Sequence, residues 1–308
     1  MRYPFIACVF TLLALLTAPA AENQTVTLEE CLQPAGSEAE GDVGELLARA
    51  EEAFRDDEDF DSSQLCRAIR LYERVLELEP QNNRAMNRLS QAYFMLGIEF
   101  LAAQEERREA FKRGRDLGLK RLGVEQPEDP ELLCAAALPA IETVTLEEGL
   151  EEEELSIAGL FWAGNNWGKW LDNLPEGERI SRGFSDLRCV RASFERTLEL
   201  DEEFFAAGPH RALGSLLTQI PGESLRVARA HFERAIEIAP YYLENKTNYA
   251  CGYTVRVRDR ALFDRLIEEV LAAPVGERYI FWNKRAKRFA EELKEQADEL
   301  FAKGECKL

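Results

Sequence analysis

The sequence predicts an all-α protein: a solenoid of helix pairs with irregular helices in its middle and a capping helix at its C-terminus. Three observations lead there. Apolar residues recur at three-and-four spacing over most of the 308 residues. Prolines and turn residues punctuate those stretches. One cluster of side chains also reappears after a shift of thirty-four residues, from Pro240 to Pro274. A chain that is 46% hydrophobic and 31% charged has enough apolar surface for a core and too much charge for a membrane bundle.

The elements follow in chain order. Residues 1–20 hold one basic side chain, Arg2, an apolar run from Phe5 to Leu16, and small residues at Ala18 and Ala20. This is the layout of a signal peptide cleaved before Ala21, so an exported, periplasmic and soluble mature chain is expected. The run is too short to span a bilayer, and no later segment is apolar for long enough. Cys8 follows Phe-Ile-Ala in loose imitation of a lipoprotein cysteine, but cleavage there would leave almost no hydrophobic region. Lipid anchoring is therefore not expected. Residues 21–42 are polar and turn-rich and read as an N-terminal arm.

A single helical-repeat domain is expected over 43–302, with a tail at 303–308. Its first helix, Gly44 to Arg55, carries Leu46, Leu47, Ala50, Ala53 and Phe54 on one face, and the second starts at Ser62 or Ser63. Ala68, Tyr72, Val75 and Pro80 on the second helix, followed by Met86, Leu89, Ser90 and Tyr93 on the third, resemble the tetratricopeptide repeat. Small residues there let two helices approach, an aromatic fills the groove, and proline reverses the chain. Ala228, Phe232, Ala235 and Pro240 repeat the signature. The segment FERTLEL from Phe194 echoes YERVLEL from Tyr72 and FERAIEI from Phe232. Residues 98–122 form a long charged helix with an expected solvated face, a short apolar helix spans Leu132 to Ile141, and an amphipathic cap runs from Tyr279 to Phe301.

Charge and cysteines narrow the function. The formal net charge is −19, from 57 acidic and 38 basic residues, and loss of Arg2 makes the mature chain −20 (−19 minus +1). Such a surface repels phosphate backbones, so nucleic acid is not an expected partner. Six cysteines remain after the signal: Cys31, Cys66, Cys134, Cys189, Cys251 and Cys306. They show no CxxC or Cys/His cluster, so no metal site and no cofactor are expected. In an oxidising compartment they suit disulfides, with buried free thiols as the alternative. Proximity along a solenoid favours Cys31 with Cys66, Cys134 with Cys189 and Cys251 with Cys306. Phosphate loops, nucleophile elbows and HExxH are absent, and two histidines leave little for acid-base work, so an enzyme is not expected.

The segment that stands apart is GLFWAGNNWGKWLDN, Gly159 to Asn173. It holds Trp162, Trp167 and Trp170, Asn165 and Asn166, and three glycines that weaken a helix by about 1 kcal/mol each. Close packing of helices would explain them. A pocket or channel wall would too, with tryptophan faces giving apolar area and the amides fixing a polar group. This helix, together with GPHRALGSLL at Gly208 to Leu217 and ALFDRLIEEVLAAP at Ala261 to Pro274, resembles the T component (TatT-like) of certain tripartite ATP-independent periplasmic (TRAP) transporters. The resemblance covers Val43 to Phe301. It implies a helical-repeat protein with an apolar channel, a hydrophobic and carboxylate-bearing small-molecule ligand, and a periplasmic substrate-binding protein as partner. Several family members carry a lipoprotein signal that is lacking here. Trp162, Asn166, Trp167 and Trp170 match the aromatic helix, and His210 and Arg211 match the second motif. His210 and Arg211 are candidates to meet an anionic group. The rival reading is a tetratricopeptide scaffold that binds a protein or peptide in the cell envelope with no small ligand. Assembly of several copies into a homo-oligomer is compatible with either.

Overall fold

The first helices of this chain begin where a side chain can satisfy the backbone N–H groups of the first turn. In the computed structural model, which describes residues 25–34, 36–220 and 222–306, Asp42 accepts from Glu45 N, Asp61 from Ser63 N and Gln64 N, and Asn82 from Ala85 N. These caps open α2 (Val43–Ala53), α3 (Ser62–Leu78) and α4 (Asn83–Met95). The expected signal peptide and its Cys8 lie outside the described residues.

The described part of the expected polar arm is packed instead. Thr27 and Glu30 form a capping box that opens α1 (Leu28–Leu32), whose Leu28 and Cys31 are buried. Cys31 is bonded to Cys66 of α3, and Val26 N donates to Phe100 O at 3.1 Å. A five-residue helix is too short to show periodicity, which is why the sequence reads as an arm.

The middle helices are α5 (Gln104–Arg121), α6 (Leu133–Thr143), α7 (Ser156–Asp172) and α8 (Glu176–Leu200). α5 runs antiparallel to α4, with Ser90 Oγ donating to Gly114 O at 2.6 Å, and packs along α7 rather than α6. The α5–α7 approach is very close: a Cβ on Gly118 would lie 2.6 Å from Gly159 O, and one on Gly114 would lie 2.5 Å from the Asn166 amide. α6 is set aside against α8, joined to it by the Cys134–Cys189 disulfide. The expected solvated face of the charged helix is only partly so, because Arg115 turns inward and is 3% exposed.

α9 (Phe204–Gln219) and α10 (Leu225–Ile238) make the next pair, with Phe232 against Gly214. Then come α11 (Glu244–Asn248), α12 (Val255–Val257), α13 (Arg260–Ala272), α14 (Ile280–Glu295) and α15 (Ala297–Lys303). Two wide π-helical turns, Leu96–Phe100 and Tyr249–Thr254, follow α4 and α11. Cys251 in the second is bonded to Cys306 beyond α15.

The predicted capping helix is therefore two helices, and its beginning is no outer face. Phe281 N donates to Asp56 Oδ1 at 2.7 Å, and Lys284 Nζ donates to Glu58 O at 2.7 Å. The Phe281 and Phe60 rings lie 5.5 Å apart. In an open solenoid each unit touches only its neighbours. Here the last long helix closes back on the turn between α2 and α3, and Trp282 is carried into the middle of the molecule.

Candidate functional site

A helix displays different residues on each face, and α7 uses its faces differently. Trp167 is fully buried, with Nε1 donating to Asp186 Oδ2 of α8 at 3.1 Å. Trp170 lies between two guanidinium groups, Arg115 at 4.7 Å and Arg182 at 4.8 Å from its ring centroid. Asn166 Nδ2 donates to Ser90 O and Trp162 O, both at 2.9 Å. These three candidates knit α7 to α4, α5 and α8. Trp162, Asn165, Gly168 and Lys169 form a different stripe and face a cavity.

That cavity has a volume of about 170 Å³, slightly more than the engineered apolar cavity of about 150 Å³ that admits benzene. Five elements supply its aromatic wall: Phe94 from α4, Trp162 from α7, Phe194 from α8, Phe205 from α9 and Trp282 from α14. Trp162 is the hub, with ring centroids of Phe205 at 4.8 Å, Phe94 at 5.6 Å and Trp282 at 6.3 Å. Charged groups stand around the same space. Lys169 is 3.9 Å from Asp172, Arg285 pairs with Glu244 and Glu99, and Arg211 also lines the cavity. Burial lowers the pKa of the Lys169 ammonium, against the pull of Asp172. Lys169, Phe205, Trp282 and Arg285 join the cavity without having been among the expected site residues. The lone tryptophan of α14 is the one local signal.

Phe205 stands on unusual backbone. Phe205, Ala206 and Ala207 have φ of 45°, 55° and 60°, a left-handed stretch of three residues with no glycine among them. Each costs roughly 1–2 kcal/mol relative to right-handed helix, and such strain persists only where the surroundings enforce it. Arg211 and Asn245 enforce it. Arg211 Nη1 donates to Asn245 Oδ1 at 3.0 Å and to Ala206 O at 3.4 Å, and Asn245 Nδ2 also reaches Ala206 O at 3.4 Å. The Arg211 guanidinium sits 4.5 Å from the Tyr242 ring centroid. Tyr279, whose ring is 5.5 Å from that of Phe205, is left-handed as well, with φ 56°.

His210 is not among the cavity-lining residues. Its Nδ1 lies 2.9 Å from His231 Nδ1 and its Nε2 lies 3.2 Å from Glu202 Oε2. Arg234 and His210 together hold the Glu202 carboxyl down to a pKa of about 2. Burial lowers the pKa of both histidines, and His210 lowers that of His231 further.

The described residues thus form an all-helical, disulfide-bonded frame around an aromatic cavity, and none of its helices is long and apolar enough to cross a membrane. The family model for the TRAP transporter T-component matches residues 55–301, and the chain belongs to that family. No curated protein matches it. Membership makes the chain an accessory component of TRAP transport.

Proposed function

We propose that the mature protein works in the periplasm, takes up a small hydrophobic ligand with a carboxylate group in the cavity along α7, and docks a periplasmic substrate-binding protein of its transporter. The observation that carries this reading is the aromatic cavity at Trp162 in a member of the TRAP transporter T-component family. Aromatic walls with a few polar groups suit an apolar ligand of fixed orientation. Lys169, Arg211 and Arg285 on one cavity supply the charge-assisted hydrogen bonds a carboxylate would use. A bound anion would favour the Lys169 ammonium that burial disfavours.

The test is to purify the mature chain without denaturant, extract it, and look for lipophilic molecules by mass spectrometry. Added fatty acids should change the tryptophan fluorescence of the wild type and have a weaker effect on Trp162→Ala. An empty wild type whose fluorescence ignores added fatty acids would sink the ligand reading. The docking half is checked by calorimetry against the substrate-binding protein of the same transporter.

A further inference from the structure

The α7 cavity has a neighbour. On the other side of Trp162 and Phe205 lies a second cavity of about 50 Å³, with polar walls that include Asn87, Arg88, Gln91 and Glu152. Trp162 and Phe205 are the residues that line both. They meet edge to face with centroids 4.8 Å apart, so this pair is the partition between an aromatic chamber and a polar one.

The two halves of the partition are mounted differently. Trp162 stands in the middle of α7, a regular helix, and is 4% exposed. Phe205 stands on the left-handed stretch, only partly buried although five aromatic rings surround it at 4.8–6.0 Å. Those ring contacts, with the hydrogen bonds of Arg211 and Asn245 to Ala206 O, hold it in place. An apolar chain lying in the chamber would offer Trp162 and Trp282 the same contacts, and return of residues 205–207 to right-handed backbone would release strain. Ligand contact and strain release oppose the ring contacts and the Ala206 hydrogen bonds, and a ligand that favours one arrangement over the other shifts the population.

We propose that Phe205 is the specificity-determining partition of the ligand site. In place, it limits the ligand to what the aromatic chamber holds. Displaced, it joins the two chambers, so that a longer chain runs past Trp162 toward Arg88 and Glu152. Arg88 is paired there with Glu51 and Glu153, so the far end is polar but not a simple anion site. This inference rests on the ligand-binding reading above.

The experiment measures affinity for saturated fatty acids of increasing chain length, by calorimetry and tryptophan fluorescence, on the mature wild type, Phe205→Leu, Phe205→Gly and Phe289→Ala. Each buried methylene strengthens binding about fourfold until the chamber is full. The expected cut-off comes at the shortest chain in the wild type, later in Phe205→Leu and latest in Phe205→Gly. Phe289→Ala, which enlarges only the aromatic chamber, should improve affinity for bulky short ligands without the same gain in length. Glycine accepts left-handed backbone, so Phe205→Gly spares the turn; circular dichroism checks the fold, and Phe205→Leu carries the test if the glycine variant unfolds. An identical cut-off in wild type and folded Phe205 variants overturns the partition while leaving ligand binding intact. A wild type that binds no chain of any length overturns the ligand reading and this one with it.

Discussion

His210 and His231 share a hydrogen bond through their Nδ1 atoms, one ring donating and the other accepting, and a proton taken up at the accepting nitrogen breaks it. Glu202 and Arg234 face the pair on one side, and Glu195 reaches His231 from α8. Because burial lowers both pKa values, the folded chain binds fewer protons here than the unfolded chain does. The stability from the pair is therefore complete above the ordinary imidazole value of about 6.5 and is lost as pH falls through it toward the folded values. The Glu202 contribution fades only lower, as pH drops from the ordinary carboxyl range toward about 2. Thermal denaturation between pH 8 and pH 5 should show the wild type losing stability below pH 6.5 and a His210→Gln, His231→Gln double variant losing less over that window. Equal slopes would refute the account. Sequence reading could find His210 and Arg211 by motif, but not that one meets another histidine and the other holds a backbone turn. The deciding partners, His231 and Asn245, sit on other helices. The same applies to Trp167 and Trp170, which are turned from the cavity by Asp186, Arg115 and Arg182.

At the level of the helix, glycine tells two stories. Alanine at Gly118 would gain about 1 kcal/mol of helix propensity. Its Cβ, however, would meet Gly159 O at 2.6 Å and Ala163 Cβ at 2.8 Å, and the backbone of α7 cannot yield cheaply. Overpacking of this kind costs about 1–3 kcal/mol, so Gly118→Ala should lower stability. Gly183 on α8 has nothing within 4 Å of a built Cβ, and Gly183→Ala should raise stability by up to about 1 kcal/mol. Chemical denaturation of both variants checks the contrast. The helices themselves were largely legible: α2, α3, α4 and α7 lie within a few residues of their periodic patterns, since caps, prolines and apolar stripes are local signals. The break at Gln296 and the packing of α1 were not legible, because tertiary contacts decide both.

At the largest scale, three bridges among the described residues tie segments 35, 55 and 55 residues apart. Restricting unfolded loops of these lengths is worth about 4 kcal/mol per bridge. The Cys31→Ser, Cys66→Ser pair should therefore lose a few kcal/mol in denaturant unfolding while helix content by circular dichroism stays near wild type; no loss would mean that α1 is held by packing alone. The even cysteine count and their order along the chain pointed to these pairings. No local pattern announced the return of α14 to Asp56 and Phe60, since a contact across 225 residues leaves no trace in periodicity.

That return fixes a calendar for the molecule. A chain is made from its N-terminus, so Phe94, Trp162 and Phe205 exist well before Trp282 does. Until the final stretch has been added and folded home, the future chamber is an open aromatic trough with one side missing. The chamber closes as the protein's last act of folding, and a copy cut short before Trp282 would present sticky aromatic surface to its surroundings in place of a closed wall.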